Sequence, residues 1–409
     1  MSLLDDVSIV VTPNGYKAGT LFSAIPSSGA ADLEAVRNTA ATRVDEDGLI
    51  EVVADNVPRI DYSGGGCPHI LAEPQRKNDI TYSEDFTEWS SSSSPTLTEN
   101  ATTSPDGTTN ATELLSTSSG SRIQINLGVQ DAADYTQSVF VKYKDVEARL
   151  NFKNNQFGGD NKFIIASSGV TLDSSSNDTN IEDFGNGWFK ISVTYTANGT
   201  NASFLQIFGD LSVPYASYYL WGAQLEEGSY ATSYIPTDGG TVTRNQDQFS
   251  RDGISSLINS EEGVLFVEAA ALADTIADRY IVSLSNGSNT NMVYIRFANA
   301  SNRIEARSTL LGSNVGLTST SVTDETEFHK IAYKWKLNDY ALWVDGFEVA
   351  TATGSVSSAN TFNTLNLADG NGNSILEGKV KQLQVFKTAL GGSPYDSVLS
   401  DARLAALTS

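Results

Sequence analysis

Cysteine is nearly absent from this chain of 409 residues: Cys67 stands alone. An intrachain disulfide is therefore excluded, and with it the small secreted scaffolds that depend on several. Histidine is almost as scarce, with only His69 and His329. They fall in unrelated stretches, and no serine or cysteine has a histidine partner at a recognisable spacing. Positive charge is short too. Lys and Arg number 26 against 49 Asp and Glu, a net charge of −23. Such a surface repels DNA, RNA and anionic lipid, which sets nucleic-acid binding aside. No apolar run approaches the ~20 residues of a membrane helix, so no membrane insertion is expected. The opening residues MSLLDDVSIVV carry acids where an export signal carries Lys or Arg, and synthesis in a reducing cytoplasm is expected.

What is present suits an all-β chain. Charged residues make up 18 %, and Ser, Thr, Asn and Gly replace the missing charges. Thr and Asn serve wet strand faces; Gly and Asn serve turns. Period-two alternation recurs. Tyr135, Val139, Val141 and Tyr143 alternate with Thr136, Ser138 and Lys142. Phe189, Ile191, Val193 and Tyr195 oppose Trp188, Lys190, Ser192 and Thr194. Ile331, Tyr333, Trp335 and Leu337 oppose Lys330, Lys334 and Lys336. The spacing of such segments predicts two β-sandwich (jelly-roll) domains, residues 81–240 and 249–409, with a polar linker over Thr237–Gln248. Residues 1–80 are too polar and glycine-rich to close a core alone. They are expected to form an extended attachment segment that leans on the next domain or on neighbouring chains. Within it, Ala30–Arg37 predicts two helical turns, and Asp47-Gly48 a hairpin turn between strands at 41–44 and 49–54. Ser400 caps a predicted short helix over 400–407.

The densest aromatic stretch runs from Tyr215 through Leu220–Thr237 (LWGAQLEEGSYATSYIPT). Two readings of it are open: a ligand surface on which a sugar ring stacks, or a core strand with an ordered tail. Gly222 marks a place where something approaches the backbone closely. Candidate stacking faces are Trp89, Trp188, Tyr218, Tyr219, Trp221, Tyr230 and Tyr234, with Gln224 as a hydrogen-bonding group; no more than two are expected to be true contacts. Asp369, Asn371 and Asn373 alternate with glycines in a pattern that Ca²⁺ can use, although a plain Asn-Gly turn is the commoner outcome. No other cofactor is expected. The acid clusters Glu226-Glu227, Glu261-Glu262 and Asp45-Glu46-Asp47 are contiguous, so neighbouring carboxylates point apart on a strand. No catalytic residue is assigned and the chain is read as a non-enzyme.

Some stretches carry a family likeness. Thr39–Phe86 resembles a leader of bacteriophage tail and fibre proteins, through Arg43, Gly48, Asn56, Pro58, Arg59, Tyr62, Glu73, Pro74, Arg76, Asn78, Tyr82 and Phe86 among others. Asp79-Ile80 departs from the two leucines usual there. The pieces Thr81–Phe86, Gly187–Lys190 and Trp221–Gly228 resemble phage carbohydrate-binding-module-like sandwiches. His329, Ile331, Leu342, Val344, Asp345, Gly346, Gly378, Val385 and Phe386 resemble a laminin-G/concanavalin A-like domain; Gly391–Tyr395 departs from it as an inserted loop. The resemblance implies a virion protein of a tailed phage, a tail or head fibre or spike subunit. Its residues 1–80 would contact other virion proteins, and its sandwiches would bind bacterial surface polysaccharide. A homotrimer is the expected assembly. The alternatives are a capsule depolymerase on a concanavalin A-like fold and a purely mechanical spacer.

Overall fold

A computed structural model describes residues 6–118, 120–156, 159–209, 215–390 and 397–409, the last stretch with side chains from residue 401. The described chain is almost entirely β, as expected. It divides into two compact units at places the composition did not mark. One comprises residues 1–40, 53–74 and 245–409; the other comprises 41–52 and 75–244.

The 75–244 unit is a sandwich of two six-stranded antiparallel sheets. The first sheet is ordered Thr96–Thr102, Ala111–Ser116, Ala216–Glu227, Asp134–Tyr143, Trp188–Thr196 and Asp178–Asp183. The second is ordered Gly169–Ser175, Asn161–Ala166, Ala148–Asn154, Ala202–Gly209, Arg122–Val129 and Ser90–Ser92. Alternation predicted the core correctly: Val139, Val141, Ile191, Val193 and Tyr195 all lie in it, with Leu150, Phe152, Leu205 and Ile207 from the facing sheet. The expected hairpin at Asp47-Gly48 is present, joining Ala41–Val44 to Ile50–Val53. Asp45 holds its turn by accepting from the backbone N–H groups of Asp47 and Leu49. The linker expected over Thr237–Gln248 is instead ordered. Val242–Arg244 pairs with Arg76–Asn78, and Arg244 is fully buried, donating to the Ser233 hydroxyl at 2.7 Å. Asn78, in the leader-like stretch, is equally buried. Its amide donates to the carbonyls of Ala223 and Ile235 and accepts from the N–H groups of Ile80 and Leu225.

The other unit is built on one sheet of 16 strands that closes on itself. Its end strands, Ser313–Ser321 and Phe347–Ala352, lie against each other, and one apolar core fills the interior. The helix Ser397–Thr408 sets Leu404 into a second apolar layer with Phe266, Trp343 and Phe386. The helix begins at Ser397, so Ser400 lies within it and not at the expected cap; the loop at Gly391–Tyr395 lies outside the described residues.

The extended attachment segment is corrected here. Val7–Lys17 pairs with Gly378–Phe386, Thr20–Ile25 pairs with Val7–Lys17, and Leu33–Val36 links Thr20–Ile25 to Gln248–Arg251. Ile9, Val11, Leu21 and Leu33 belong to the interior. The helix expected over 30–37 is the strand Leu33–Val36, because Leu33 and Ala35 alternate with Glu34 and fill a gap in a sheet. The leader-like Arg59 is completely buried. It forms ion pairs with Glu73, at 2.5 Å, and with Asp247, which Arg37 also reaches at 2.9 Å. Burial works against the Arg59 charge, but Asp247 and Glu73 outweigh it and raise the pKa.

His69 gives this unit a pH dependence. Burial pushes its pKa down to about 4, assisted by Lys379 and Lys381 and opposed by Asp61, whose carboxylate lies 3.5 Å from Nε2. The folded state therefore favours neutral imidazole. The contribution is complete above the unfolded value near 6.5 and is lost as pH falls from there through 4, at most ~3 kcal/mol. Urea melts at pH 7 and pH 5 should show this loss, and His69→Gln should flatten it. Equal slopes in both proteins would contradict the assignment.

Candidate functional site

The aromatic stretch resolves mostly toward the core reading. Trp89, Trp188, Tyr218, Trp221, Gln224 and Tyr234 are all buried. Tyr218 points into the sandwich interior, where its hydroxyl donates to the Phe208 carbonyl at 3.3 Å. Trp89 also lies in that core, its indole N–H donating to the Tyr82 carbonyl at 2.9 Å. Trp188, Trp221 and Tyr234 form a separate layer with Phe140, Ala111 and Ile50 on the other side of the first sheet. The hairpin carrying Ile50 and the tail carrying Tyr234 close over them. Tyr234 and Trp221 have ring centroids 4.6 Å apart, and the Tyr234 hydroxyl bonds to Ser83 and Glu84. Gly222 is needed there. Its φ is +61°, and a Cβ would come within 3.0 Å of Phe140 and 3.3 Å of Tyr234. Gln224 accepts from the Ile235 N–H and donates to Glu226, so its amide is spent on the tail. Tyr219 and Tyr230 keep partial exposure, but the Arg76 guanidinium covers one side of Tyr230 at 5.3 Å. Trp221→Ala should thus cost ~3–5 kcal/mol of stability without selectively changing sugar affinity. Calorimetry and binding titration of the same variant separate the two; unchanged stability with lost binding would restore the surface reading.

A different place has the geometry of a binding site. In the unit containing residues 245–409, a cleft of about 260 Å³ opens beside the strands Gln248–Arg251 and Thr364–Asn366. This is just under the ~300–1,000 Å³ of small-ligand pockets, so it suits one ring or a short segment. Strand pairing sets Ser250 opposite Asn366, and Asn366 opposite Ser283. Phe249 and Leu365 turn into the core, so their neighbours Gln248, Ser250, Thr364 and Asn366 turn to the cleft. Asp252, Gly287, Gly370, Asn371 and Gly372 also line it, with Phe249, Leu367, Ala368 and Ile375 as its apolar part. Amides, hydroxyls and one exposed carboxylate offer both donors and acceptors to a polyhydroxylated ligand.

The loop singled out for calcium forms the rim of this cleft. Asp369 is buried, and one of its oxygens accepts from the N–H groups of Asn371 and Asn373, at 3.1 and 2.8 Å. The other accepts from the Asn289 amide at 3.0 Å. These bonds make the alternating Asp and Asn a turn that shapes the rim. Among the described residues no cluster of three His, Cys, Asp or Glu is placed to hold a metal.

The same sheet face continues away from the cleft. Ser283 sits opposite Tyr294, and Tyr294 opposite Arg307. The Arg296 guanidinium lies between Tyr280 and Tyr294, 5.7 and 5.6 Å from their rings, and pairs with Glu305 at 2.7 Å. Burial pushes the Tyr294 hydroxyl pKa up. This layer is closely stacked and mostly buried, which makes it a stiff backing to the cleft. Both ring nitrogens of His329 are engaged, by Asp345 at 2.6 Å and by the Asp324 carbonyl at 2.9 Å. Cys67 is exposed, and the glycines before it hold an open turn.

The comparisons with known proteins bear on this unit. Residues 267–393 match the concanavalin A-like lectin/glucanases superfamily. The match covers less than half of the chain. No curated protein matches the chain. Among solved structures the chain is similar to the CBM40 of the Ruminococcus gnavus IT-sialidase bound to α2,3-sialyllactose. That likeness has 17 % identity over 36 % of this chain and 83 % of that one, with a TM-score of 0.29. It is similar to domains LG4-5 of the mouse laminin α1 chain at 9 % identity, covering 73 % and 92 %, with a TM-score of 0.24. It is also similar to the CBM22 tandem of Paenibacillus barcinonensis Xyn10C at 12 % identity, covering 78 % and 98 %, with a TM-score of 0.25.

Proposed function

We propose that the protein is a structural component of a tailed-phage virion, a fibre or spike subunit that binds bacterial surface polysaccharide without degrading it. The observation that carries the binding reading is the cleft lined by Gln248, Ser250, Asp252, Thr364 and Asn366, in the unit whose residues 267–393 have the lectin-type match. A non-degrading role is favoured because glycoside hydrolysis uses two carboxylates flanking the bond. Asp252 is the single carboxylate lining the cleft among the described residues, and both oxygens of Asp369 hold the loop. The virion reading rests on the leader-like residues. Because most of residues 1–80 are committed to the two units, contact with other virion proteins falls to what they leave exposed, including Tyr16 and Phe22 on the Val7–Ile25 hairpin. The assembly is proposed as a homotrimer, and no cofactor is part of the proposal.

Gln248→Ala and Asp252→Asn should each weaken binding to host polysaccharide by about tenfold, the loss of one or two hydrogen bonds to a polar ligand, with unchanged melting temperatures. A glycan array coupled to a reducing-end assay measures this. Turnover of the polysaccharide would establish the depolymerase alternative. A flat array, with the protein present in virions, would leave a mechanical spacer.

A further inference from the structure

The second sheet of the 75–244 unit presents a face with chemistry of its own. Ile123, Leu150, Phe152, Leu205 and Ile207 fill the interior, so alternation turns Arg122, Gln124, Gln206, Phe208 and Lys153 to the opposite side. Arg122 lies opposite Phe208, and Gln206 lies between Gln124 and Lys153. The Arg122 guanidinium is 5.3 Å from the centre of the half-buried Phe208 ring, and the Lys153 ammonium is 5.1 Å from it. The Gln206 amide donates to the Gln124 carbonyl oxygen at 2.7 Å. Gln206 is buried, while Gln124 keeps partial exposure.

The charge is unusual for this chain. Overall it is −23, yet this face is cationic. Lys153 has Asp160 at 2.9 Å, and Arg149 has Asp173 at 3.1 Å. Among the described residues, Arg122 donates to neutral oxygens, those of Gln124 at 3.0 Å and of the Gly120 backbone at 3.4 Å, and no carboxylate pairs with it. Its remaining donors form a fork suited to a carboxylate.

We propose that this face binds a saccharide bearing a carboxylate, such as a uronic acid residue. The sugar packs beside the half-buried, cation-flanked Phe208 ring, a hydroxyl meets the Gln124 amide, and its carboxylate meets Arg122. An extended polyanion is disfavoured by the charge of the rest of the molecule, while one acidic sugar fits a patch about 10 Å, two strand spacings, across. The inference rests on the glycan-binding reading and adds a second, charge-selective face to it.

The test uses the full chain and two probes in calorimetric titration. One is the tetrasaccharide of alternating glucuronic acid and N-acetylglucosamine; the other is the same molecule with its carboxylates reduced to alcohols. The acidic probe should bind at least about tenfold more tightly, as expected for a hydrogen-bonded charge. Arg122→Gln should abolish that preference with an unchanged melting temperature, Phe208→Ala should weaken both probes, and Gln248→Ala should leave the preference intact. Equal affinities for the two probes, or a preference that survives Arg122→Gln, would overturn the inference. Binding of the neutral probe that is lost in Gln248→Ala would still support the cleft, so the two readings fail separately.

Discussion

Arg59→Met should destabilise the unit containing residues 245–409 by ~3–5 kcal/mol, much of the ~5–15 kcal/mol that a domain possesses. The reason lies in what is left behind. Arg59, Glu73, Asp247 and Arg37 form a buried group in which two cations balance two anions. Arg37 also donates to the carbonyls of Thr39, Ala54 and Val57, and Glu73 and Asp247 meet through their backbones. Removing Arg59 takes one of two cations from a buried group that keeps both carboxylates, Glu73 and Asp247, in a place water does not reach. The partner variant Glu73→Gln should cost less, because a neutral amide keeps a hydrogen bond to the guanidinium. Urea denaturation measures both. A change under 1 kcal/mol for Arg59→Met would show that the group is dispensable.

Deleting residues 1–36 should be still more damaging. The deletion removes three strands that stand consecutively in the sheet between Gln248–Arg251 and Gly378–Phe386. It exposes two unpaired strand edges and opens the core at Ile9, Val11, Leu21 and Leu33. Burying those four side chains contributes roughly 6–12 kcal/mol by itself. The truncated chain should be insoluble, or should melt with only the transition of the 75–244 unit. Two intact transitions after truncation would return these residues to the status of a detachable arm.

What could be read in the sequence was local. The alternating strands at 135–143, 188–195 and 329–335 were visible because one face of each is apolar. The Asp47-Gly48 turn was visible because only glycine takes a φ of +78° there without strain. Ser313–Ser321 and Asp178–Asp183 were invisible: their residues are mostly polar on both faces, and they hold their places by backbone pairing at or near a sheet edge. Val7–Lys17 pairs with Gly378–Phe386 at the far end of the chain, and no period in a sequence announces a pairing across that distance.

The site was harder to read for the same reason. Trp221, Trp188 and Tyr234 have the composition of a ligand surface. Only the fold shows that Ile50 and the Tyr234 tail cover them. The cleft, conversely, has Phe249 as its one aromatic lining residue among the described residues, and that side chain is mostly spent on the core. The cleft arises where two short polar strands from distant parts of the chain lie side by side, beneath a loop whose Asp369 had drawn notice as a metal ligand. Arg122 and Phe208 were likewise unremarkable until strand pairing set them opposite each other.

Hydrogen–deuterium exchange of the intact protein, with and without polysaccharide from a susceptible host, tests the account most directly. Protection is predicted at residues 248–252 and 364–372, joined by 122–126 and 204–208 when the polysaccharide carries uronic acid. Protection confined to residues 218–236, with the cleft unchanged, would contradict it.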